Sequence, residues 1–220
     1  MIQKNTTHQP MDTYHETHQS WNAVAQAYQD KFMMLDIYNQ TYDYILDALT
    51  MEHPRLLELG CGPGNIARYM LGKRSDISLT GIDIAPAMIE LARANNPGAE
   101  FEVLDIRQIG TLTGMYDAII AGFCVPYLSG EDCAMLIHNS AKFLNTNGLM
   151  YISFVEGMPE NSGFQTSSRG ERMFFYYHTL PQLEHQLTAA GYELHRVFRV
   201  EYPRSETVSE THTVIIAGKM

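Results

Sequence analysis

At 220 residues, 45% apolar and 18% charged, the chain has the length and composition of one globular domain with a substantial core. Fifteen Lys and Arg against 25 Asp and Glu leave a formal charge of −10 with no basic cluster to offset it, which disfavours nucleic acid and anionic membrane as partners. Three cysteines without paired spacing argue against a disulfide framework and for a reducing, cytoplasmic setting.

In chain order, residues 1–8 lack the apolar core of a signal peptide, and no later stretch approaches the length needed to cross a bilayer. His8, His15 and His18 lie among polar residues; a metal site is conceivable there, but a frayed, solvated tail is the plainer reading, and no metal is assigned. Two amphipathic helices follow, over residues 14–32 and 36–49, with Trp21, Val24, Tyr28 and Phe32 at helical spacing. Residues 1–50 thus read as a helical cap roofing a core of residues 51–220, the whole forming a single domain.

Strands then alternate with helices. A strand over residues 55–59 leads to a helix over 65–71, a second strand to Asp83, a helix begun by Pro86, a third strand ending at Asp105 and a fourth at Gly122. Ser129 with Asp132 reads as a capping box for a helix whose inward stripe is Ala134, Ile137, Ala141 and Leu144. A strand over 149–155 follows. Residues 157–170, rich in Gly, Ser and Pro, read as a loop beyond its end, either a lid or an idle excursion. Thr179 and Gln182 open a last helix that stops at Gly191, before strands over 193–202 and 212–217. The alternation predicts an α/β fold: a Rossmann-like, seven-stranded, mostly parallel sheet with an antiparallel C-terminal hairpin, helices on both faces and the N-terminal cap.

The most informative segment is Leu56-Leu57-Glu58-Leu59-Gly60-Cys61-Gly62-Pro63-Gly64-Asn65. Glycines between a strand and a helix let the backbone turn sharply and let a ligand approach main-chain amides. A dinucleotide fingerprint places its third glycine where Asn65 stands, and would not set a carboxylate beside a pyrophosphate. Glu58, ending a buried strand, is costly to desolvate unless a cation meets it. S-adenosylmethionine carries two cationic centres, an ammonium and a sulfonium.

With the acid of the second strand in Leu79-Thr80-Gly81-Ile82-Asp83, that of the third in Phe101-Glu102-Val103-Leu104-Asp105, and the fourth strand Tyr116-Asp117-Ala118-Ile119-Ile120-Ala121-Gly122, the pattern resembles the class I S-adenosylmethionine-dependent methyltransferases of small-molecule type, with a type 11/25-like domain. The resemblance implies S-adenosyl-L-methionine as cofactor, with Glu58 near its ammonium and the backbones of Gly60, Gly62 and Gly64 against its methionine portion. It implies ribose hydroxyls on Asp83, the adenine amino group on Asp105 with the Ile106 amide donating beside it, and Ile84 and Met88 flanking the purine. It places the Ala121 and Gly122 carbonyls near the cofactor's ammonium, with a buried small pair that only packs as the equal alternative. Tyr28 either touches the cofactor or belongs to the core.

Candidates for a general base are His178, Tyr127 and Tyr177, near the expected substrate mouth, where Phe123, Phe154, Phe164, Phe174, Phe175 and Tyr176 could line an aromatic pocket. Nucleobase amino-methyltransferases carry an Asn/Asp-Pro-Pro-aromatic box after the fourth strand; the run Phe123-Cys124-Val125-Pro126-Tyr127 departs from it, which disfavours DNA. The expectation is methyl transfer to a small-molecule acceptor. A noncatalytic S-adenosylmethionine-binding or interaction module, and an NAD-dependent oxidoreductase, are the alternatives.

Overall fold

A computed structural model describes residues 13–167, 169–205 and 207–220 of the protein. Residues 1–8, with His8, lie outside the described part. The consecutive leucines of β1 (Arg55–Leu59) bury in opposite directions, and this alternation fixes the layers. Leu57 and Leu59 pack on one side of the sheet, with Leu136 and Ile137 of α5 (Gly130–Phe143) and Leu183 and Leu187 of α6 (Leu180–Ala189). Leu56 packs on the other, with Ile45 of α2 (Asn39–Ala48), Met70 of α3 (Asn65–Lys73) and Ile89 of α4 (Pro86–Asn95).

β1 is flanked by two parallel neighbours, β2 (Ser78–Asp83) and β4 (Tyr116–Gly122), with Leu57 opposite Thr80 on one side and Ile119 on the other. Outside them lie β3 (Glu100–Val103) and β5 (Leu144–Val155); beyond β5 an antiparallel hairpin, β8 (Tyr192–Pro203) and β9 (Ser209–Lys219), completes the sheet. Among the described residues the order is β3-β2-β1-β4-β5-β9-β8. The order reverses between β1 and β4, so their following loops diverge and open a crevice at the carboxyl ends of the strands.

The expected seven-stranded sheet, hairpin finish and two-sided helices are all present. Four local expectations need correction. The segment 157–170 is not an irregular loop: it holds β6 (Gly163–Thr166), paired antiparallel with β7 (Arg172–Phe175). This small hairpin docks on α1 (Thr13–Phe32), where Ser20 Oγ donates to the Arg172 carbonyl at 2.6 Å and the Phe174 N–H donates to Thr17 Oγ1 at 2.9 Å. His15 and His18 belong to α1, not to a frayed tail. The third strand stops at Val103, because Asp105 caps a 3₁₀ turn by accepting the Arg107 N–H. The buried stripe of α5 is Cys133, Leu136, Ile137 and Ser140, one position round from the expected face, since Cys133 counts as a small apolar residue there.

Candidate functional site

The turn after β1 uses three left-handed glycines, Gly60 (φ 64), Gly62 (φ 53) and Gly64 (φ 79). At Gly60 the need is steric as well as conformational: a Cβ there would fall 2.6 Å from that of Cys124. The turn is pinned by the Cys61 N–H donating to the Ile82 carbonyl at 2.9 Å, which ties the β1 loop to the end of β2.

Above this turn lies a cavity of about 330 Å³. Of the residues expected to hold cofactor, Tyr28, Glu58, Gly60 and Gly62 line it at the β1 end. Asp83, Ile84 and Met88 line it beyond β2, Asp105 and Ile106 beyond β3, and Gly122 beyond β4. Gly64 and Ala121 do not: Gly64 is tucked against Asn96 and Ala92 at the start of α3, and Ala121 is wholly buried among the core residues.

Glu58 is 2% exposed and its Oε2 is unpaired. Burial, reinforced by the neighbouring Asp83 carboxylate and only partly opposed by the Ala67 N–H, pushes its carboxyl up to about 8. An ammonium beside Oε2 would satisfy the orphaned oxygen and favour the charged form. Asp83 accepts the Gly62 N–H at one oxygen and the Ala85 N–H at the other, both at 2.9 Å. Each oxygen keeps a further lone pair, the pattern a ribose diol needs. Burial raises its carboxyl too, with those two amides opposing.

Asp105 differs from expectation. Its carboxylate is held by the Arg107 guanidinium, with Nη2 at 2.6 Å and Nε at 2.9 Å from Oδ2, and it also accepts the Arg107 N–H. Arg107 in turn lies 4.0 Å over the ring of Tyr14. An adenine amino group would have to share Asp105 with this fork.

Of the three general-base candidates only Tyr127 lines the cavity. It sits edge-on to Trp21 at 5.1 Å and to Phe175 at 5.8 Å, and burial raises its phenol, so it stays protonated at neutral pH. His178 is 1% exposed; its Nε2 lies 3.1 Å from the Val125 carbonyl and its Nδ1 is unpaired. Tyr177 packs beside Gly157, with its hydroxyl 3.4 Å from Gln165 Nε2. Both lie outside the cavity lining. Phe123 and Phe175 line it as an aromatic wall, whereas Phe154 is core.

Sequence reading missed His18, Trp21, Tyr38, Tyr202 and His212, all of which line the cavity. Trp21 shares the helical stripe of Tyr28, and both line the cavity. His212 carried a weaker signal, a histidine leading an apolar strand. Among the described residues no group of three or more His, Cys, Asp or Glu could hold a metal, and no helix is long and apolar enough to cross a membrane.

A family model described as a methyltransferase domain matches residues 56–148, the stretch from β1 to the start of β5 that builds the glycine turn and the acidic strand ends. Over that stretch the chain is similar to the class I S-adenosylmethionine-dependent methyltransferases. Among its relatives, the trans-aconitate 2-methyltransferase of Methylobacterium radiotolerans is 40% identical over 117 residues, covering 53% of this chain and 44% of that protein. The malonyl-[acyl-carrier protein] O-methyltransferase of Acetivibrio thermocellus is 31% identical over 114 residues, covering 50% and 39%. The chain spans less than half the length of these relatives. In fold it is similar to the magnesium protoporphyrin IX methyltransferase of Synechocystis PCC 6803, with a TM-score of 0.73 at 15% identity over 97% of this chain and all of that one.

Proposed function

We propose that the protein binds S-adenosylmethionine across the ends of β1, β2 and β3 and transfers its methyl group to a small-molecule acceptor. The observation that carries this reading is the buried Glu58, its Oε2 unpaired, in the lining of a cavity whose floor is the glycine turn. A dinucleotide would bring its pyrophosphate to that turn, beside the Asp83 carboxylate and a Glu58 that could not ionise next to it, whereas an aminoacyl sulfonium brings the positive charge that favours an ionised Glu58. When bound, the sulfonium supplies an activated methyl group open to in-line attack.

The protein's own part is to bind, orient and dry the pair. Glu58 receives the ammonium, Asp83 the ribose hydroxyls, and Met88 with Ile84 the purine face, while Trp21, Tyr28 and Phe32 of α1 exclude water from above. Holding two reactants in register supplies roughly 7–11 kcal/mol of a barrier, so no strong base is required for a useful rate. A noncatalytic binding module would share every cofactor contact. Thermal stabilisation by S-adenosylhomocysteine and not by NAD, followed by methyl transfer to an acceptor panel, distinguishes the three readings. Stabilisation by NAD alone would overturn this one.

A further inference from the structure

The cavity extends past the cofactor half to a wall that none of the roles above uses: Tyr38 at the start of α2, Phe123 after β4, and Tyr202, Arg204, Glu210 and His212 from the C-terminal hairpin. His212 stands in register with Val155 on β5 and Val200 on β8, and is 7% exposed; Tyr38 is 6% exposed. The Tyr38 hydroxyl lies 2.5 Å from His212 Nδ1, and His212 Nε2 lies 3.4 Å from Glu210 Oε2. Arg204 Nε holds the same Glu210 oxygen at 3.2 Å.

These contacts order the protons. A carboxylate only accepts, so Nε2 carries the imidazole hydrogen towards Glu210, and Nδ1 accepts from Tyr38. The phenol oxygen of Tyr38 is left with lone pairs to offer a hydrogen-bond donor in the cavity. Burial lowers His212 below the usual imidazole range, which keeps it neutral and able to take a proton. The charged and titratable groups around it are Glu210, Glu201 and Arg204 on the hairpin, with Tyr202 and, from α2, Tyr38. Glu156, beyond β5, is turned to Arg199 and Thr213.

The walls are flat. Tyr202 stacks on the imidazole at 4.9 Å and 8°, and Tyr38 is parallel to it at 4°. Phe123 adopts φ 54, a left-handed backbone that a bulky aromatic rarely takes. Its N–H is held by Ser153 Oγ at 2.9 Å, and its ring lies 5.0 Å from that of Tyr38 and 4.9 Å from that of His212. A strained residue immediately after β4, packed on this pair, marks a place where geometry is set against local preference.

We infer that Tyr38, His212 and Glu210 form the acceptor site, that it takes a flat aromatic compound bearing a phenolic hydroxyl, and that Tyr38 receives the hydroxyl proton while passing its own to His212 Nδ1. This rests on the methyltransferase reading above. The acceptor O–H bond breaks as its oxygen forms the new bond to the methyl carbon, and the carbon–sulfur pair returns to sulfur. One positive charge leaves the sulfonium and one appears on the imidazolium, which Glu210 faces. A carboxylate acceptor is already ionised at neutral pH and needs no such route. Tyr38 touches the acceptor; His212 is a positioning residue that acts through it.

The test uses the whole chain saturated with S-adenosylhomocysteine, 2-naphthol as the phenol and benzoate as the carboxylate comparator. 2-Naphthol is expected to bind with a Kd below about 1 mM and benzoate about tenfold more weakly. Tyr38→Phe and His212→Asn should each weaken 2-naphthol about tenfold while leaving S-adenosylhomocysteine affinity, which also reports folding, unchanged. Wild-type affinity for 2-naphthol should fall as His212 is protonated, and His212→Asn should remove that dependence. With S-adenosylmethionine, Tyr38→Phe should lower kcat for naphthol methylation about 100-fold with a smaller effect on KM. Equal binding of naphthol and benzoate, wild-type behaviour of both variants, or no turnover of saturating naphthol would overturn the inference. Failure of S-adenosylhomocysteine itself to bind would instead bring down the methyltransferase reading.

Discussion

Asn22 on α1 caps a neighbouring helix: its Oδ1 accepts the N–H of Ala87, the second residue of α4, at 2.9 Å. Ala85 stands at the N-cap of α4 and has no side chain able to bond, so the donor is satisfied from across the interface. A second clamp lies at the other end of α4, where Asn95 Nδ2 donates to Gln29 Oε1 at 2.7 Å and to the Pro63 carbonyl at 2.9 Å. Along this interface Trp21 and Tyr28 of α1 pack against the cluster of Ala25, Ala85 and Met88.

Asn22→Ala is therefore expected to cost about 1 kcal/mol of stability, read from the midpoint of chemical denaturation. It should also weaken S-adenosylhomocysteine, because the same contact seats α1 over the glycine turn. Asn22→Asp, which keeps an acceptor at a helix N-terminus, should retain the stability. An unchanged midpoint for the alanine variant would remove this cap from the account.

The three turn glycines are not equivalent. Gly60→Ala meets Cys124 as well as an unfavourable φ, so about 1–2 kcal/mol of backbone strain adds to an overpacking cost of about 1–3 kcal/mol. Gly62→Ala has only Tyr28 Cε1 within reach, at 3.8 Å, and should carry the backbone term alone. Thermal melts should rank the two in that order, with Gly62→Ala losing affinity for S-adenosylhomocysteine out of proportion to its stability loss. Equal losses of stability would contradict the steric part.

Much of this fold was legible because its signals are local. Leu56 to Asn65 spell a buried strand, a glycine turn and a helix start, and Thr179 does accept the Gln182 N–H as the expected cap of α6. Asp83 and Glu58 could be placed because each ends a strand within a few residues of an apolar run. The rest depended on long-range pairing. Residues 163–175 make a hairpin only because α1 supplies Thr17 and Ser20 to dock it, and no local pattern records that partner. Nothing local marks Asp105 as already held, yet Arg107, two residues on, curls back onto it. His212 and Tyr38 are 174 residues apart and meet only when β9 inserts beside β5.

Asp83→Asn keeps the side chain's shape but replaces one of two accepting oxygens and removes the charge. With both oxygens already bonded to main-chain N–H groups, the variant cannot serve Gly62, Ala85 and a ribose diol together. Equilibrium binding of S-adenosylhomocysteine should weaken more than about tenfold. An unchanged Kd would show that Asp83 only braces the turn.

The raised carboxyl of Glu58 has a consequence for stability. Its ordinary value is 4.5 and in the folded chain it lies near 8, so between those limits the folded state binds a proton that the unfolded state has released. Its contribution is favourable below 4.5 and is lost as pH rises towards 8, at roughly 1.4 kcal/mol for each unit of separation between the two values. Denaturation of the ligand-free protein should show stability falling over that window, and Glu58→Gln should flatten the fall. An identical slope in the variant would assign the dependence to other groups.

Calorimetry of S-adenosylhomocysteine binding near neutral pH, run in buffers of differing ionisation enthalpy, tests the central claim most directly. If the ligand's ammonium meets Glu58, binding ionises that carboxyl and releases up to one proton to the buffer, and Glu58→Gln binds more weakly without the release. Binding by folded protein with no buffer dependence would place the ammonium elsewhere, and no heat of binding at all would contradict the account.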